Sequence, residues 1–312
     1  DDDGINHNAG FSDRDGNDLN HIEGVQDGLG TWNPATKTAV LVRDANETIQ
    51  ILSSDITFDG NGYGIINPGS PSWPDGAYGI YFIRAEDNTR VDRVTVKNTT
   101  FSGWYDGVEY RYSSSNTIVN NTFDSVADGV YNFGGGANYI ADNTFTGCSR
   151  GIVISIYSWG NTAERNVISN TSRSGIYMLG LTGSNQFNDN LIDNTTGDSI
   201  YLYNSHYNTF TGNTISNGQV GLKLDHSPYY WPQHNTFYNN NFISNTVQAY
   251  VYDESNVFNM PAPDGGNFWS DWASPDDNGD GIVDYPYDLY DKDGNYATSD
   301  YLPSAWTDGW NR

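Results

Sequence analysis

Three short stretches hold residue types whose spacing could do chemistry. In "GLKLDH" (221–226) Lys223, Asp225 and His226 fall together, and Tyr201 and Tyr203 stand at the matching offset one repeat earlier. A base beside carboxylates and phenols is what proton abstraction from a sugar needs. In "GVEYR" (107–111) Glu109 and Arg111 alternate along one face, and a hydrolase would need a second carboxyl about 6.5–9.5 Å from the first. The plainer reading of both sets is an ordinary salt link. The third stretch, "DDNGDGIVDYPYD", matches D-x-[DN]-x-D-G from Asp276. Asp276, Asn278 and Asp280 are hard oxygen ligands at positions 1, 3 and 5, and the glycine permits the sharp turn. Ile282 would add a backbone carbonyl. Position 12 is Tyr287 rather than Glu, so Asp284 or Asp288 must close the shell. This predicts a structural Ca2+. "DRDGND" (13–18) and "DKDGN" (291–295) are weaker versions of the same pattern.

These residues sit in a repeat. A small residue before an apolar one recurs at Gly79, Gly107, Gly129, Gly151, Gly175, Ser199 and Gly221, mostly at steps of 22–24. A second register, Asn before a short apolar strand, runs through Asn98, Asn121, Asn143, Asn166, Asn190, Asn213 and Asn241, and a third through Asn116, Asn138, Asn161, Asn185, Asn208 and Asn235. Short alternating strands with turns at fixed offsets predict an all-β right-handed parallel β-helix, a solenoid of 22–24-residue coils stacked about 4.8 Å apart. Equivalent residues then lie above one another. Inward Ile, Val, Leu and Phe form columns, and the asparagines of the second register form a structural ladder.

After each anchor the next residues point outward. They make an aromatic face of Tyr81, Tyr131, Phe133, Tyr177, Tyr201, Tyr203, Tyr250 and Tyr252, which also carries Glu109, Val153, Ser155 and Lys223. Trp73 and Trp231 join it from two lengthened loops. Tyrosine suits strands in any case, but such a patch also suits a subunit interface or a sugar-stacking platform.

Composition narrows the classes. Lys+Arg is 14 and Asp+Glu 39 in 312 residues, a net charge of −25, and only six of the acids are Glu. Nucleic acid is excluded as a partner, and an anionic membrane surface is disfavoured. No apolar run is long enough for a membrane span. Cys148 is alone, so no disulfide framework exists. Asn46, Asn98, Asn120, Asn170 and Asn194 stand in glycosylation sequons, which would fit an extracellular or cell-surface protein. Three regions follow: a polar arm or edge cap (1–35), the β-helix (36–258) and a Trp- and Asp-rich cap (259–312), whose tryptophans would seal the last coil.

The copies, with "SSDITFDGNGYGII" (53–66) ahead of them and the closing "GGNFWSDWASPDDNGDGIVDYPYDL" (265–289), resemble NosD-like and carbohydrate-binding/sugar-hydrolase (CASH) β-helix proteins across about 53–290. The resemblance implies the fold. It also implies copper-site maturation, yet two Met, one Cys and five scattered His make no soft-ligand cluster. Neither a Gly-His-Gly nor an Asp-Pro-His-Asp stretch of the related polysaccharide enzymes is present, and four Lys supply no electropositive groove. The leading expectation is a structural protein that self-associates into a homopolymer: a filament, sheath or envelope subunit stabilised by calcium. The alternative is a polysaccharide lyase, hydrolase, epimerase or carbohydrate-binding module.

Overall fold

One repeat copy shows how a coil is laid down. Thr117–Val119, Thr122–Asp124 and Asp128–Phe133 are three strands, each with its middle or alternate side chains buried. The turns between them are two to three residues long, so the chain returns beneath its own start after each copy. In the computed structural model the described residues are the backbone of 11–13 and residues 29–46, 48–69, 78–82, 90–227 and 232–309. Trp73, Trp231, Trp310 and the candidate turn at 13–18, beyond the backbone of Asp13, lie outside them. The fold is an all-β right-handed parallel β-solenoid of about nine turns, with no helix among the described residues. It divides into two compact units, 1–152 and 153–312, each taken here by itself.

In the first unit equivalent strands pair in parallel and in register: Thr117–Val119 lies between Thr95–Lys97 and Tyr139–Ala141, and Thr122–Asp124 between Thr100–Ser102 and Thr144–Thr146. Register puts like on like. Phe123 stacks on Phe101 and Phe145 with ring centroids 5.0 and 4.7 Å apart. The anchor glycines serve this column. None has a positive φ; instead, a Cβ on Gly129 would lie 2.4 Å from the Phe145 ring and 2.6 Å from the Gly151 carbonyl. Close packing, not left-handed backbone, requires glycine there.

The unit's open edges are covered by antiparallel strands. Phe11–Asp13 pairs with Ile49–Ile51, and Gly30–Asn33 folds back on Thr38–Leu41. Each reverses the local direction and so ends the parallel stack at a β edge that could otherwise pair onward.

The second unit repeats the pattern. Phe187, Phe210, Phe237 and Phe258 stack at 4.5, 4.8 and 5.1 Å. Phe268–Trp269 adds one more parallel rung to Asn241–Ile243, and the hairpin Tyr287–Tyr290/Tyr296–Asp300 follows. Trp269 lies flat between Phe242 and Tyr287, 4.4 Å from each. The tryptophans do not seal this end together. Trp269 is buried, but Trp272 and Trp306 are exposed, because one flat ring already covers the column.

The ladders correct the sequence reading at both of its ends. In the first unit Thr99 N donates to Asn121 Oδ1, and Asn121 N and Nδ2 both donate to Asn143 Oδ1. In the second, Asn166, Asn190, Asn213 and Asn240 each pass N and Nδ2 to the Oδ1 of the next, ending at Asn267. Asn98 takes no rung. It has φ 53° and donates to Asp59 Oδ1, while Thr99 occupies the rung position. Asn241 begins the following strand; Asn240 is the rung. The reason is the turn. The residue before most rungs adopts a left-handed φ, as at Asn120, Asp142, Asp189 and Asn239, and Asn or Asp tolerates that region best. In an Asn-Asn pair the first residue makes the turn and the second makes the ladder. The third register is a true second ladder: Asn116 reaches Asn138 in the first unit, and Asn185, Asn208, Asn235 and Asn256 run through the second.

Candidate functional site

The outward face of the long strands brings charges together in each unit. In the first, Tyr78–Phe82, Asp106–Arg111 and Asp128–Phe133 pair so that Tyr78, Asp106 and Asp128 form one column and Tyr81, Glu109 and Tyr131 another. Asp106, Glu109 and Asp128 are almost wholly buried although they lie on the outer side of the sheet. Arg150 holds Asp128 through two contacts, Nε to Oδ1 at 2.6 Å and Nη2 to Oδ2 at 2.5 Å. Arg111 pairs with Glu109 and lies 5.7 Å from the Phe133 ring centre. The Tyr78 and Tyr81 rings stack at 4.9 Å beside them, and burial pushes the Tyr78 phenol up to about 12.

The remaining oxygens, Asp106 Oδ1 and Glu109 Oε2, are buried and receive no donor from another group. Burial, then the charges of Asp128 and Glu109, raise the Asp106 carboxyl well above its ordinary range. A raised acid binds its proton more tightly folded than unfolded, so its stabilisation is greatest at acid pH and fades as pH climbs through the folded value. Asp106→Asn, which stays uncharged, is expected to lose less stability than the parent between pH 5 and pH 9 in urea unfolding. Equal losses in both would contradict the raised Asp106 carboxyl.

In the second unit Lys223, Asp225 and His226 do come together. Lys223 Nζ lies 3.5 Å from Asp225 Oδ2, 3.8 Å from Asp198 Oδ2 and 4.9 Å from the Tyr201 ring centre. Tyr201 donates its hydroxyl to Asp225 Oδ2 at 3.0 Å, and burial with the Asp225 charge raises that phenol far up. His226 Nδ1 lies 2.9 Å from the Ser227 carbonyl, and its ring meets Tyr252 edge-on. Tyr177, Tyr201 and Tyr203 continue the aromatic row, and Tyr250 and Tyr252 are also half-buried. Of the positions read as outward and accessible, Glu109, Val153 and Ser155 are buried.

The sequence reading missed Asp106, Asp128, Arg150 and Asp198. A signal existed: each immediately precedes a Gly or Ser anchor, at one offset in successive copies. It escaped notice because alternation places the residue before the anchor inside, whereas pairing skips the glycine, so that Asp106 joins Asp128 and Val108 joins Val130.

The Asp-rich loop is closed by its own amides. Asp276 accepts from Asp280 N and Gly281 N, Asn278 Oδ1 from Asp280 N, Asp280 Oδ1 from Ile282 N, and Asp284 from Asp277 N. Asp288 stands apart, in a hairpin strand, and accepts from Ser299 Oγ at 2.6 Å. "DKDGN" is the turn of that hairpin, with Asp291 accepting from Asp293 N and Asn295 N. Asn46, Asn120, Asn170 and Asn194 are exposed, and Asn98 is half-buried.

Residues 50–274 match the family described as periplasmic copper-binding protein (NosD). The chain belongs to the NosD family. Two curated members named probable ABC transporter binding protein NosD are similar to it. That of Stutzerimonas stutzeri is 26% identical over 127 residues, and that of Pseudomonas aeruginosa 29% over 126. Each match covers 40% of this chain and only 28% of the relative's own length. The crystal structure of the periplasmic alginate epimerase AlgG shares the fold, with a TM-score of 0.54 at 14% identity, covering 88% of this chain and 80% of that one.

The copper in the NosD description calls for thiolate, thioether or imidazole donors. Here Cys148 is buried with its thiol pushed up to about 12, and Met178 is fully buried in the core. Among the described residues no three His, Cys, Asp or Glu side chains are placed to hold a metal ion. The described donors therefore do not fit a copper site. No described helix is long and apolar enough to cross a membrane.

Proposed function

We propose that this NosD-family chain is a structural solenoid of the cell exterior, a filament, sheath or envelope subunit that associates with copies of itself through its outward tyrosine face. The observation that carries this reading is that the face is aromatic and electrically closed. Arg150, Arg111 and Lys223 each already hold a carboxylate, so the sheet offers tyrosine area without a ready base. Tyrosine gives large contact area at little entropic cost, and interfaces are enriched in it. Calcium at Asp276, Asn278, Asp280 and Asp284 is part of the proposal: the cation would pin the end of the second unit. Light scattering and negative stain should show large particles, and Tyr177→Ser with Tyr203→Ser should disperse them. Calcium should raise the melting temperature, and Asp280→Asn should cancel the rise. A monodisperse monomer at all concentrations would sink the reading.

A second reading, a carbohydrate-active protein, draws on the buried Asp106 and Glu109 carboxyls and on a fold that also hosts an alginate epimerase. It requires new reducing ends or unsaturated products from a polysaccharide panel, lost in Glu109→Gln or Lys223→Ala.

A further inference from the structure

The turn that follows the long strand in the second unit carries large aromatics that no ladder or column uses. Tyr157 is 62% exposed, Trp159 44% and Tyr207 57%. Their placement is ordered. Trp159 pairs with Gly183, and Gly183 with His206, so these three positions form one column across successive coils. The Trp159 indole lies along that column over the glycine: a Cβ on Gly183 would sit 2.4 Å from Cζ3 and 2.9 Å from Cε3. Glycine thus lets the indole approach the wall closely while Trp159 stays 44% exposed. Beside His206, Tyr207 stacks on His234 of the next coil, centroids 5.0 Å apart and planes 19° from parallel.

The surroundings are polar rather than aliphatic. Beneath the turn run Ser158, Thr182 and Ser205, buried, with Thr182 donating to Ser205 at 2.9 Å. At its far end His206 Nδ1 accepts from Gln233 N, and Gln233 Nε2 donates to Asp253. Exposed aromatic rings bordered by imidazole and amide groups match a ligand with C–H faces and hydroxyl edges. Two coils separate Trp159 from Tyr207, about 10 Å at the strand spacing, so a linear chain laid along the column would meet one ring after the other. The net charge of −25 opposes polyanions.

We propose that the column of Tyr157, Trp159, His206, Tyr207 and His234 is a binding platform for an uncharged polysaccharide. It is separate from the outward sheet face and does not depend on the assembly reading. Affinity electrophoresis through gels cast with neutral glucan, mannan or xylan, and with alginate, tests it. Retardation is expected in at least one neutral glycan and none in alginate. Trp159→Ala and Tyr207→Ala should each weaken it about tenfold, with melting temperature and particle size unchanged because both side chains lie on the surface. Tyr285→Ala, which removes a tyrosine 62% exposed elsewhere in the unit, should bind as the parent does. Absence of retardation in every neutral glycan, retardation that survives both platform substitutions, or preference for alginate would each overturn the proposal.

Discussion

Asp300→Ala is expected to unfold the C-terminal cap while leaving the first unit's coils standing. Asp300 is fully buried, and its Oδ2 accepts from Asn267 N at 2.7 Å, Asn267 Nδ2 at 3.2 Å and Trp269 Nε1 at 3.0 Å, while Leu302 N reaches Oδ1 at 3.2 Å. It is the last acceptor of the Asn166–Asn267 ladder. Alanine strands three donors, each costing about 1–3 kcal/mol when buried, since Asn267 Nδ2 keeps the Phe237 and Phe258 carbonyls, and it frees Trp269 from its anchor. The loss should be roughly 4 kcal/mol or more, read as an early transition in tryptophan fluorescence during urea unfolding. A single cooperative transition at the parental midpoint would refute it.

The same residue makes the cap acid-favoured. Burial pushes the Asp300 carboxyl up to about 7, against the donors that pull it down. Unfolded, it would titrate near 4. The folded state therefore holds the proton more tightly, and stability present below about pH 4 is lost as pH rises to about 7, on the order of 4 kcal/mol. The urea midpoint of the parent, followed by tryptophan fluorescence, should fall between pH 5 and pH 8 and stay nearly fixed in Asp300→Asn.

The second large effect separates two asparagines that look alike in the sequence. Asn213→Ala removes Oδ1 from both Asn190 N and Asn190 Nδ2 and leaves the Phe187 carbonyl without its donor, all inside the wall. About 3–5 kcal/mol should go, more than a single exposed contact can supply. Asn98→Ala loses a half-buried bond to Asp59 at 3.0 Å and puts alanine at φ 53°, which together should cost about 1–2 kcal/mol. Urea midpoints of the two variants decide it; equal shifts would mean that the turn position matters as much as the rung.

The pattern of these outcomes has a physical origin. In a stacked coil the neighbour in space is the residue one period away in sequence, so the phenylalanine columns, the asparagine rungs at 121, 143, 166, 190 and 213 and the long strands were legible from spacing. The same rule brought Lys223 to Tyr201. It failed where neighbouring residues are chemically alike. Asn98 against Thr99 and Asn240 against Asn241 are decided by which residue takes a positive φ, a backbone choice that residue type only biases.

By itself, then, the sequence determined the solenoid, its period and which side chains face inward, because translation along the axis repeats each contact. The tertiary structure alone decided the rest. The pairing around the anchor glycine set Asp106 and Asp128 in one buried column beside Glu109 under a cover of tyrosine and arginine. The tail's fold-back brought Asp300 to Asn267 and Trp269 across 33 and 31 residues. Gly183 let Trp159 lie close over the wall and exposed. These contacts occur once or vary from coil to coil, so no periodicity announces them, and burial rather than residue type determines how their charges behave.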